Sequence, residues 1–145
     1  MAAYTDSLGF NKGTPALFDR NERNVVLMEV ELNFAKIAAA RAAAGAAALA
    51  ATDTLEVMPL PPSTLVLAAG VRVSKVEGAT ATIDLGDSGN ATRYVSNADL
   101  NALTNVAGTT AFYNATGLPL RVTLDHNSID AAVATVWALV AGRVR

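Results

Sequence analysis

The sequence has no cysteine and a single histidine. The first absence excludes disulfides and thiolate metal sites, and the two together leave no usual ligand set for zinc. It is also compatible with assembly in a reducing cytoplasm. Lysine and arginine total 11 against 13 acidic residues, for a net charge of −2, and the basic residues are scattered. No electrostatic footprint for nucleic acid or an anionic membrane is present. Charged residues make up only 17% of the chain while 52% are hydrophobic, where about a quarter charged is ordinary for a soluble domain. That deficit implies that something other than water covers part of the surface. Long apolar runs are missing too. The stretch from Ile37 to Ala51 is mostly alanine, contains Arg41, and is too short and too weakly hydrophobic to cross a bilayer. The first residues carry neither a basic nor an apolar segment, so export by a standard signal peptide is not expected.

What is there divides into two regions. Residues 1–22 contain Gly9, Gly13, Pro15 and isolated anchors at Tyr4, Leu8, Phe10, Leu17 and Phe18. The anchors are too sparse for a core, which leaves a mobile tail or an extended arm that orders on a neighbour. Residues 23–145 form the second region, of a size that suits one domain and one core.

The stretch from Leu55 to Asp87 organises that domain. Three β-rich runs are separated by a corner at Pro59, Pro61 and Pro62 and by a glycine at 78, a pattern read here as an antiparallel sheet in which Gly78 closes a hairpin. Val71 and Val73 punctuate Arg72 and Ser74, while Ala81, Ile83 and Leu85 alternate with Thr82 and Asp84. Gly70 marks a bulge or a close backbone approach. Upstream, Val26, Met28, Val30, Leu32 and Phe34 alternate with Leu27, Glu29, Glu31 and Asn33, the clearest strand in the chain. Alanine propensity then predicts a helix over 34–44 that Gly45 ends and that packs as a lid on the sheet.

Farther on, residues 86–90 read as a turn-rich loop, 99–103 as one helical turn capped by Asn97 or Asp99, and 109–113 as a short strand. Leu120 to Leu124 alternates again. The last run, Ala131 to Val140, is apolar on both parities, so it is covered twice, by the alanine-rich helix or by a second subunit. Its Val136, Trp137, Ala138 and Val140, with the five arm anchors, are the candidate interface residues. The whole pattern predicts a mainly β chain: an antiparallel β-sandwich, jelly-roll-like, with one short Ala-rich helix and an extended N-terminal arm.

Chemistry is harder to find. His126, beside Asp125 and Ser128, reads as a turn residue, since no oxyanion motif accompanies it. Asp84, Asp87 and Asn90 offer oxygen ligands, but without the spacing of a calcium loop they read as a hairpin loop. Glu29 and Glu31 share one strand face and read as solvated. Asn90 and Asn114 head glycosylation sequons that are most simply polar turns. Neither a catalytic residue nor a cofactor or metal site is expected.

Four segments carry a family resemblance: 53–57 (DTLEV), 61–73 (PPSTLVLAAGVRV), 77–87 (EGATATIDLGD) and 136–140 (VWALV). Together they resemble small structural proteins of tailed-bacteriophage virions, of the kind that decorate or cement the head. This chain departs from them in Ser63 beside Thr64 and in a shorter loop after Asp87. The resemblance implies a noncatalytic virion protein on the capsid exterior, assembled in the host cytoplasm. It would bind adjacent major capsid protein subunits and form a homo-oligomer, with a trimer favoured. The alternative is a head-fibre or tail-associated binding module that recognises a glycan or partner protein through loops 87–98 and 104–118, with Tyr94, Phe112 and Tyr113 as contacts.

Overall fold

The alternation that starts near Asn24 becomes strand β1 (Arg23–Asn33), the first element of a computed structural model that describes residues 23–108 and 111–143. The arm and its anchors Tyr4, Leu8, Phe10, Leu17 and Phe18 lie outside the described residues. Helix α1 (Phe34–Ala43) follows directly. Asn33 caps it, its side-chain oxygen accepting the Lys36 N–H at 3.1 Å. At the other end Gly45 has φ +73, and the N–H groups of Gly45 and Ala46 donate to the carbonyls of Ala42 and Arg41. This is the left-handed stop that glycine allows.

The remaining elements are strands: β2 (Thr54–Met58), β3 (Thr64–Lys75), β4 (Thr82–Gly86), β5 (Val95–Asp99), β6 (Asn105–Gly108), β7 (Phe112–Asn114), β8 (Leu120–Leu124) and β9 (Val133–Arg143). One sheet has the order β1-β9-β3-β6, with β7 also on β3, and the other has the order β2-β8-β4-β5. β6 pairs with Ala69–Arg72 and β7 with Thr64–Val66, so the two run as one interrupted strand along β3. With β6 and β7 counted together, the first strand pairs with the last, the second with the second-last, and so inward to β4 with β5. A long hairpin rolled into two facing sheets has this nesting, which is the jelly roll. The expected mainly β sandwich is therefore the fold.

Several local expectations change. The runs between Leu55 and Asp87 do not form one sheet: β2 and β4 both flank β8, while β3 belongs to the opposite sheet. Gly78, at φ +90, thus turns the chain from one sheet to the other rather than closing a hairpin. Residues 95–99 are a strand, and the turn expected at 99–103 begins only at its end. Val95 and Ala98 are both buried though three apart, because β5 holds an extra residue opposite the step from Ile83 to Leu85 and Asn97 takes φ +56. A bulge of this kind removes the period of two that announces a strand. β6 carried no readable signal; of the short strand expected at 109–113, residues 109–110 lie outside the described residues, Ala111 is not in a strand, and residues 112–113 open β7.

The helix is no lid. Phe34 is fully buried and Ile37 packs against the core, but the alanines of α1 beyond them are largely exposed. A methyl group buries too little apolar area to hold a helix flat on a sheet. The inner face of the last strand is instead covered by the chain's own second sheet. Ala134, Val136, Ala138 and Val140 join one core with Ile83, Leu85, Leu120, Val122 and Leu124.

Candidate interaction surface

The two faces of the β1-β9-β3 sheet follow from its register. Val30, Val136 and Val71 stand side by side and point inward, as do Met28, Ala138 and Ala69. The residues between them form outer rows: Leu27 with Leu139 and Ala68, Glu29 with Trp137 and Gly70, Glu31 with Thr135 and Arg72. The Arg72 guanidinium reaches the Glu29 carboxylate at 3.6 Å. Both groups are about half exposed, so the pair orders that end of the face more than it stabilises it.

The other end of the outer face is apolar. Val25, Ala141, Leu65 and Tyr113 lie across four strands in register. Val25 is 58% exposed, Leu27 56% and Tyr113 50%. Val26, of the inward parity, is also 49% exposed because the sandwich does not reach that far along β1. Three consecutive large aliphatic residues in water on an edge strand are an unmet burial demand, and the low charge of the sequence leads to the same place.

Of the four β9 residues expected at an interface, Val136 and Ala138 are fully buried and Val140 nearly so. Their contacts are with the chain's own core, which leaves Val136 and Ala138 no free side-chain surface and Val140 little. Trp137 lies on the outer face and keeps some exposure. Its indole rests over Gly70, where a β-carbon would fall 2.6 Å from the ring, and its N–H donates to Asn105 Oδ1 at 3.0 Å. Gly70 is thus a place of close approach, by this ring and by the Val106 carbonyl. The bulges of β3 lie elsewhere, between Val66 and Ala68 and between Val73 and Lys75.

The loop from Asp87 to Tyr94 joins β4 to β5 and is built around one ion pair. Asp87 is buried, accepts the N–H groups of Gly89 and Asn90 at 2.8 and 3.0 Å, and meets Arg93 Nε at 2.5 Å. Burial is the largest influence on its carboxyl and pushes the pKa up. Hydrogen bonds from Arg93, Gly89 and Asn90, with the charge of Arg93, outweigh it and hold the carboxyl below its ordinary range. The Arg93 guanidinium also sits 3.7 Å above the Phe112 ring, and its own pKa is raised, first by its hydrogen bond to Asp87. Tyr94 is buried, and desolvation with the Asp87 charge pushes its hydroxyl to about 12. Of the three loop aromatics, then, Tyr94 and Phe112 pack inward and only Tyr113 is well exposed.

The other polar candidates turn out to be fasteners. His126 Nδ1 accepts the Thr82 N–H at 3.2 Å, and Asp125 accepts the Thr82 hydroxyl at 2.9 Å, so both tie a turn to β4. Asp84 accepts the Asn97 N–H at 2.8 Å, separate from the ion pair of Asp87. Asn114 is buried and brackets its turn, donating to the Leu118 carbonyl and accepting from Gly117 and Leu118. Asn90 accepts from the N–H and the hydroxyl of Thr92. Glu77, which no sequence signal singled out, accepts the N–H groups of Asp130, Ala131 and Ala132 at 2.9–3.1 Å and straps the segment before β9. Its partners are more than fifty residues away, beyond any local pattern.

No protein-family model and no curated protein matches the chain. Solved structures do, and two of them are phage capsids. A chain of the cyanophage Pam1 capsid asymmetric unit is 16% identical with a TM-score of 0.60, over 93% of this chain and 96% of that one. A chain of the acidic stable capsid of Helicobacter pylori bacteriophage KHP30 is 9% identical with a TM-score of 0.61, over 84% and 90%. Across nearly its whole length, the chain shares its fold with proteins found in two bacteriophage capsids.

Proposed function

We propose that this chain is a noncatalytic structural protein of a tailed-phage virion that decorates the exterior of the head and cements adjacent major capsid protein subunits. The observation that carries the reading is a jelly roll, like capsid chains over almost its full length, whose outer sheet face ends in exposed Val25, Leu27 and Tyr113. Polar side chains that would otherwise suggest a reaction centre, among them His126, Asp87 and Glu77, are occupied in holding loops. In this reading the sandwich supplies a rigid apolar contact and residues 1–22, with Tyr4, Leu8, Phe10, Leu17 and Phe18, wrap a neighbouring subunit. The protein acts in the virion after assembly in the host cytoplasm.

The test is to decorate heads with the full chain and with a chain lacking residues 1–22, after circular dichroism shows that the sandwich of the shorter chain still folds. Heads carrying the shorter chain should lose DNA or open at lower temperature and lower chelator concentration. Equal resistance of the two would overturn the clamp.

A further inference from the structure

Trp137 is the chain's only tryptophan, and it stands on the outer face of the first sheet in one row with Glu29 and Gly70. A β-carbon on Gly70 would fall 2.6 Å from Cζ2 and 2.7 Å from Cε2 of the ring, so one face of the indole is spent against the backbone of β3. The area that Trp137 keeps in solvent therefore lies on the other face and along the rim. At that rim the indole N–H donates to Asn105 Oδ1 at 3.0 Å. The bond fixes the ring and leaves the amide N–H donors of Asn105, which is exposed, beside its edge. On the β1 side, the Glu29 carboxylate and the Arg72 guanidinium form their half-exposed pair at 3.6 Å.

Covering a strand glycine requires only an aromatic ring, and phenylalanine would serve. Here the ring carries a polar handle tied to an exposed amide, with a mutually neutralised ion pair on its other flank. We infer that Trp137 is a stacking platform for a neutral, flat polysaccharide chain of the β-linked glucose type. A pyranose whose hydroxyls are all equatorial presents a face of C–H groups that lies on an indole, while its hydroxyls point sideways. Sideways is where Asn105 donates, Glu29 accepts and Arg72 donates. Because Glu29 and Arg72 neutralise each other, no net charge borders the ring, and a ligand of either sign would have to part them.

The site is a sheet face without walls, so it suits a chain lying across the surface rather than one sugar held in a pocket. A proline-rich peptide also stacks on tryptophan, but it docks in a groove lined by several aromatics, and Tyr113 stands at the far end of this face, in the row of Ala141. The inference does not depend on head decoration, and it moves the sugar-binding alternative from the loop aromatics to the sheet tryptophan. On a particle carrying many copies, a weak single contact would gain from multivalency.

Because no other tryptophan is present, fluorescence reads this site directly. Cellopentaose added to the full-length protein should shift and quench the emission saturably, with half-saturation on the order of 1 mM for one shallow contact. Maltopentaose, whose α-linkages bend the chain, should need at least about fivefold more. In electrophoresis through gels containing hydroxyethyl cellulose, W137A should bind about tenfold more weakly and N105A about threefold more weakly than the parent. L103A, altered at an exposed turn residue, should match the parent. Far-ultraviolet spectra establish that each variant is folded, and N105A decides the matter should W137A not fold. An emission unmoved by cellopentaose up to about ten times the expected half-saturation overturns the inference, as does parental retardation of N105A. A saturable response to decaproline with none to cellopentaose assigns the ring to a peptide and overturns it too. None of these results bears on the head-stability test, which reads residues 1–22.

Discussion

Trp137 and Gly70 are register partners on β9 and β3, and the tryptophan ring lies over the missing side chain of the glycine. A β-carbon at position 70 would come within 2.6 Å of the ring and 2.5 Å of the Val106 carbonyl oxygen. The ring can shift only by giving up its hydrogen bond to Asn105, and the carbonyl belongs to paired backbone. G70A should lower unfolding stability by about 1–3 kcal/mol, the usual range for overpacking. Urea denaturation followed by tryptophan fluorescence would measure it, and an unchanged midpoint would show that the contact is loose.

The Asp87–Arg93 pair gives the protein a defined acid sensitivity. The carboxyl of Asp87 titrates below its ordinary 3.8 when folded. Its contribution to stability is therefore complete above that value and is lost as the pH falls through the lower, folded-state pKa. D87N should cost about 1.5–3 kcal/mol at neutral pH, as expected for charge-assisted hydrogen bonds. The variant should also lose less further stability than the parent between neutral pH and the acid limit. Parallel curves for the two proteins would refute the assignment.

At the alkaline end Tyr94 has the corresponding role. Its hydroxyl titrates near 12 in the folded chain against an ordinary 10.0, so the unfolded state releases this proton first. The stabilisation is full below pH 10 and disappears as the pH rises through the folded value. Y94F should flatten the loss of stability above pH 10. In an ultraviolet titration, one phenolate should appear late in the parent and be missing in the variant. A parent titration with no late step would count against the burial argument.

Glu77 should matter more than its half-exposed position suggests. E77A leaves the N–H groups of Asp130, Ala131 and Ala132 without their carboxylate acceptor, and a loss of about 1–3 kcal/mol is expected. Hydrogen exchange at Ala131 and Ala132 should quicken by tenfold or more. Exchange unchanged at these amides would mean that the segment is held by other contacts.

The exposed apolar surface was partly legible in the sequence. Low charge and excess apolar residues announced exposed apolar surface, and the both-sided apolar run at Ala131 to Val140 drew attention to β9. Alternation alone could not say which parity faced outward. Val136, Ala138 and Val140 are taken up by the second sheet, and the exposed aliphatic residues belong to Val25, Val26 and Leu27 of the partner strand. Val26 and Leu27 sit within a strand pattern that, read locally, made one of them core. They are exposed because the opposing sheet stops short, and that is a property of the assembled sandwich.

Local chemistry by itself determined the strand alternation of β1, β3, β4 and β8, the proline corner after β2, the glycine that ends α1, and the mainly β class. Each depends on residues a few positions apart, which a periodicity or a turn residue records. Tertiary structure alone decided that β3 and β4 sit in opposite sheets, that Glu77 straps a segment more than fifty residues away, and that β1 pairs with β9 from opposite ends of the chain. Antiparallel pairing is satisfied by any strand of suitable length and parity, so only the simultaneous burial of both inner faces selects the partners.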